Sequence, residues 1–109
     1  MADPDRKVAL FRGLVERVLN GQGRAGAPER AAAFGNVRVP TGVAGLVGRV
    51  VDAPTLVSAG DFAAGRAAGF SEDQLFEIVV CAAVGAATRR YEAGLAALDE
   101  AVLGAEGVG

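Results

Sequence analysis

The chain has 109 residues, 11 basic and 13 acidic, with a formal charge of −2 and a pI near 5.0, a size that fits one domain hiding roughly 65% of its unfolded surface. Cys81 is the only cysteine and there is no histidine, which excludes an intrachain disulfide and any mechanism that needs imidazole as base or ligand. The mildly acidic balance argues against nucleic acid, whose phosphates call for a net basic face.

Asp3-Pro4 reads as a helix opening, an acidic cap followed by proline at the first helical position. The surrounding Met-Ala-Asp-Pro-Asp-Arg-Lys is too acidic for a signal peptide, and Arg12, Glu16 and Arg17 interrupt the apolar segment that follows, so a cytoplasmic location is expected. Val8, Phe11, Val15 and Val18 recur at helical spacing, and Asn20-Gly21 closes the helix before a glycine-rich loop from Gln22 to Ala27. Pro28-Glu29-Arg30 starts a short alanine-rich helix that reaches about Phe34. Val37-Arg38-Val39 alternates like a strand, but its position before Pro40 favours an extended link.

Thr41 is placed to cap a helix over about Gly42 to Val51, with Val43, Leu46, Val47 and Val50 as its apolar stripe. Gly42, Gly45 and Gly48 each cost that helix about 1 kcal/mol relative to alanine, which points to close backbone approach. Asp52-Ala53-Pro54 breaks it. Ser58-x-x-Asp61 resembles a capping box and opens a short helix ending at Gly69; Ser71-Glu72-Asp73-Gln74 is a better box. From Glu72 the helical pattern persists to about Leu98 or Leu103 without proline, ~40–48 Å at 1.5 Å per residue. A domain this size is about 34 Å across. The helix must therefore kink at Gly85 or Gly94, or protrude and pack on another chain, and a homo-oligomer is expected. The tail from Gly104 is expected to fray. The longest uncharged apolar run, Ile78 to Thr88, is too short to span a membrane.

On a helical wheel Glu77, Cys81, Thr88, Glu92 and Asp99 share one narrow stripe. It is either the less buried face of a core helix or the lining of a pocket or subunit seam with Cys81 as a reactive thiol. Cys81 lies well inside the helix, beyond the reach of the dipole's end, and its near charge is Glu77, which is negative. No second cysteine could resolve a sulfenic acid, and a small buried hydrophobe is the commoner role. Arg89 projects among apolar residues, as a partner for Glu77 or Asp61, as an anion anchor, or as a solvated pair with Glu92. Tyr91, the only tyrosine, is expected in the core or a seam. No carboxylate spacing matches a calcium loop, the glycine-rich loop follows a helix rather than a strand, and no metal or cofactor is expected.

The stretch Ala63-Ala-Gly-Arg-Ala-Ala-Gly-Phe-Ser-Glu-Asp-Gln-Leu-Phe-Glu-Ile-Val-Val-Cys-Ala-Ala-Val-Gly-Ala, in which a helix ends in glycine and a capped long helix follows, resembles the second half of the carboxymuconolactone decarboxylase/AhpD-like (alkylhydroperoxidase-like) superfamily. The resemblance covers residues 58–98. It implies an all-α fold of about five helices with a long C-terminal one, assembled as a homo-oligomer, commonly a trimer or hexamer. The alkylhydroperoxidase branch carries a Cys-x-x-Cys-x-x-x-His relay, whose positions here fall on Pro54, Val57 and Asp61, with the upstream glutamate near Gly42. The relay is absent, so peroxidase activity by that route is not expected. The histidine associated with the decarboxylase branch is missing as well. The resemblance thus implies a non-peroxidase helical oligomer that binds a small molecule or a partner. The alternatives are a decarboxylase- or lactone-type enzyme using Arg89 with Glu77 or Tyr91, and a single-cysteine peroxidase using Cys81.

Overall fold

A computed structural model describes residues 4–108, and among them every regular element is helical. Helix α1 runs Pro4–Asn20, with proline at its first position; the expected Asp3 cap lies outside the described residues. It closes where the Gly21 N–H bonds the Arg17 carbonyl at 2.9 Å. Helix α2, Ala27–Gly35, ends on Asn36, which takes the left-handed conformation (φ 51°) that asparagine tolerates better than most residues. The link to the next helix is not simply extended, because Arg38 is also left-handed, at φ 56°.

Helix α3, Thr41–Asp52, differs from expectation at its start. Thr41 is the first helical residue rather than the cap; Pro40 occupies the cap position and no side chain bonds there. The physical reason is local: the proline's fixed φ of −54° already turns the chain, and its carbonyl receives the Val43 N–H at 3.0 Å. A single 3₁₀ turn, Pro54–Leu56, leads to α4, Ala59–Ala67. There Asp61 Oδ2 accepts from the Ser58 N–H at 2.9 Å and its hydroxyl at 3.2 Å. Gly69, at φ 99°, reverses the chain. Helix α5, Glu72–Val108, opens on a full capping box: Gln74 Oε1 accepts from the Ser71 N–H at 2.8 Å, and Ser71 Oγ accepts from the Gln74 N–H at 3.1 Å.

The core lies where α2, α3 and α4 pack on the first half of α5. Val43, Leu46 and Val47 from α3 meet Leu75, Ile78, Cys81 and Ala82 from α5, with Ala33 from α2. Each fully buried Leu, Ile or Val contributes about 1.5–3 kcal/mol. Small residues set the spacing. A Cβ on Gly85 would overlap the Phe34 carbonyl, one on Gly42 would overlap Ala68, and one on Gly65 would strike Leu75. Gly45 and Gly48 have room around them, so close approach accounts for only the first of that glycine trio.

Helix α5 is unbroken over 37 residues, about 56 Å. Neither Gly85 nor Gly94 interrupts it, and the stretch expected to fray continues as helix to Val108. The molecule measures 60 × 27 × 23 Å with a radius of gyration of 17.0 Å, against about 13 Å for a compact chain of this size. Helix α1 lies antiparallel along α5: Val18 sits at Cys81, and the Phe11 ring tilts against Tyr91 with centroids 5.6 Å apart. Among the described residues no helix is long and apolar enough to cross a membrane.

Candidate functional site

Three arginines work at helix C-termini, where the last carbonyls have no partner within their own helix. Arg30 Nη1 donates to the Gly21 carbonyl at 2.6 Å and to Val18 at 3.5 Å, closing α1. Arg89 Nη1 donates to the Phe34 carbonyl at 2.6 Å, closing α2. Arg90 Nη2 donates to Val51 at 2.8 Å, closing α3. Each cation also faces the negative end of a helix dipole. Gly85 and Arg89 act together: one turn apart on α5, the glycine makes room for the Phe34 carbonyl and the arginine supplies its donor.

Glu77 and Cys81 stand one turn apart near the head of α5, against the loop between α1 and α2. The Glu77 carboxylate accepts backbone N–H bonds from Arg24 at 2.8 Å and Ala25 at 2.5 Å. The glycine-rich loop therefore cradles an anion after all, but the anion is the chain's own. Gly23 belongs to this fit, since a Cβ there would come within 2.8 Å of the carboxylate. Partial burial pushes the Glu77 carboxyl up. The N–H bonds from Ala25 and Arg24, helped by the Arg30 and Arg24 guanidiniums, outweigh it and hold the group below the usual carboxylate range.

Cys81 is 1% exposed, and its S–H donates to the Val18 carbonyl at 3.4 Å. Burial raises its pKa and Glu77 adds to the rise, while Arg30 opposes it. The thiol is held neutral, a poor nucleophile. The polar stripe on the wheel is thus not one exposed face, because it runs from buried Cys81 and half-buried Glu77 to exposed Glu92 and Asp99. Cys81, Glu77 and Arg30 line a cavity of about 140 Å³. That cavity shares Gln22, Phe76 and Glu77 with a wider outer cleft reaching Arg24 and Asp73.

The four residues singled out in the sequence do not converge on one site. Arg89 lies about 18 Å along the helix axis from Glu77 and serves Phe34, while Asp61 pairs with Arg49 at 3.6 Å. Arg89 and Glu92 form no ion pair. Tyr91 is 50% exposed, on the α1–α5 groove with Val8, Phe11 and Leu95. The residue that sequence reasoning passed over is Arg30, 8% exposed. Its one signal was a charge set directly before the apolar run Ala31-Ala32-Ala33-Phe34. Among the described residues no three potential metal ligands cluster.

No family model, no curated protein and no solved structure matches the chain.

Proposed function

We propose that this protein is a divergent member of the carboxymuconolactone decarboxylase/AhpD-like superfamily that works as a non-peroxidase helical homo-oligomer with a ligand- or partner-binding role in the cytoplasm. The observation that carries the assembly is the uncovered apolar surface of the α1–α5 pair. Leu10, Leu14, Tyr91, Leu95, Leu98, Val102 and Leu103 are all exposed, and from Arg89 to Gly104 no α5 side chain is buried. Two helices side by side cannot shield such a face, since a stable layer needs a second layer against it. A patch of this kind marks an interaction surface. A trimer or hexamer is the arrangement that the family resemblance suggests.

The non-peroxidase part rests on the thiol chemistry. A lone cysteine, buried, hydrogen-bonded to a carbonyl and pushed toward the neutral form, has neither an activating base nor a resolving partner. Multi-angle light scattering tests the assembly: the account expects a mass that is a whole multiple of the 11.0 kDa chain. A peroxide-consumption assay on the same sample is expected to give no turnover above the protein-free rate. A monodisperse monomer, or steady peroxide turnover lost in Cys81→Ala, would overturn the corresponding half of the proposal.

A further inference from the structure

One seam of α5 runs on past the part of the helix that α1 lines. Val84, Thr88, Tyr91, Leu95, Leu98 and Val102 are spaced by four and three residues in turn, the repeat that keeps one stripe of a helix facing a neighbouring helix. Val8, Phe11, Val15 and Val18 of α1 follow the same repeat. The two seams border one groove of about 550 Å³, with Val8, Phe11, Val15, Tyr91 and Leu95 along it and Arg12 and Glu92 beside them. Helix α1 does not close the seam it lies against. Leu95, which shares the groove with Val8, is still 43% exposed, and Leu98 and Val102, further along, are 59% and 48% exposed. Two antiparallel helices with an open seam are half of a four-helix bundle, and the half they lack is another such pair.

We propose that the α1–α5 pair of a second copy fills this groove across a two-fold axis, with the two α5 helices antiparallel and the axis passing between Leu95 and Leu98. That centre sets Leu95 across from Leu98 of the second copy and Tyr91 across from its Val102, so the exposed seam residues from Tyr91 to Val102 all meet one another. Within one chain the Phe11 and Tyr91 rings meet, so residues 96–108 of α5 come level with residues 5–17 of the second copy's α1. The stretch of α5 that outruns its own α1 is thereby matched in length by the α1 of the other copy. Charge sets the direction. After Arg90, α5 carries Glu92, Asp99, Glu100 and Glu106 and no basic residue, whereas α1 carries Arg6, Lys7, Arg12 and Arg17 against Asp5 and Glu16. The antiparallel order places Asp99 and Glu100 between the levels of Lys7 and Arg12 of the second copy. A parallel order would set the acids of the two α5 helices side by side, where like charges repel. Three such pairs make a hexamer, while a trimer contains no two-fold axis. This inference rests on the assembly proposed above and adds its symmetry, its register and the charges that direct it.

The test uses the full-length protein. Light scattering is expected to give an even multiple of the 11.0 kDa chain. Tyr91→Cys combined with Val102→Cys then reads the direction, with the buried Cys81 left in place. The two positions lie about 16 Å apart along one helix, too far to bridge within a chain. Mild oxidation is expected to link position 91 of one copy to position 102 of the other, as mass mapping of the joined peptides reads, while the unsubstituted protein and Tyr91→Cys alone give no link. Asp99→Lys with Glu100→Lys is expected to raise the dissociation constant of the pair about tenfold. Adding Lys7→Glu and Arg12→Glu to the same chain is expected to restore it, with circular dichroism confirming helicity in each variant. An odd multiple such as a trimer, a link between position 91 of both copies in place of 91 with 102, or a charge reversal that the compensating changes do not rescue would each overturn this inference and leave the proposed assembly standing. A monomer at every concentration, with the groove left to a different protein, would overturn both.

Discussion

Glu77 gains its importance from where the backbone goes around it. A glycine-rich loop can turn two consecutive N–H groups onto a single carboxylate, and here it does so for a side chain more than fifty positions away. The group thus ties α1, α2 and α5 at one point. Because its folded pKa lies below the ordinary value of about 4.3, the unfolded chain binds the proton more readily. The stability Glu77 contributes is fully present above that value and is lost as pH falls through the folded pKa. Urea unfolding between pH 3 and 7 is expected to show a midpoint that falls below about pH 4.5 more steeply than in Glu77→Gln. At pH 7 that variant should lose about 1 kcal/mol, the worth of charge-assisted bonds screened at a half-buried position. An identical pH profile in the two proteins would remove Glu77 from this role. Glu77 and Cys81 were legible on the wheel as polar neighbours one turn apart. Arg30 was not, because its significance comes from the α1 carbonyls that converge on it, a tertiary fact with no local pattern.

Elements were more legible than contacts, for reasons visible in particular residues. Ser71 and Gln74 form the reciprocal box their spacing requires, Pro28 sits in the first turn of α2, and Gly69 takes the positive φ that closes α4. Where local rules failed, a competing local effect had won. Pro40 displaced Thr41 at the start of α3, and helix propagation through alanine carried α5 past Gly94 and Gly104. The glycines of α5 divide by surroundings, which gives a paired prediction. Gly85→Ala would drive a Cβ into the Phe34 carbonyl and displace α2, and is expected to cost about 1–3 kcal/mol. Gly94→Ala meets nothing within 4 Å and is expected to stabilise by up to about 1 kcal/mol. Chemical denaturation of both variants checks this, and equal effects at the two sites would contradict the close α2–α5 approach.

At the scale of the whole molecule, the protein is a small helical body with a long two-helix arm. The body is held by α3 and by the first half of α5, where its largest buried side chains lie. The arm has little of its own to hold it. Beyond Leu95, where α1 last lies against it, α5 continues alone for about 13 residues, a length marginal in water, and the glycines in its last turns weaken it further. Yet α5 is regular to Val108, and its arm carries leucines and valines on its exposed surface. Under the proposed assembly, a second copy of the chain would cover the arm with the same apolar surface. Amide hydrogen exchange along α5 measures this most directly. The account predicts that residues 89–103 are protected to a degree approaching that of residues 75–86, and that their protection falls on dilution as the assembly comes apart. Rapid exchange over residues 89–103 at every protein concentration would contradict it.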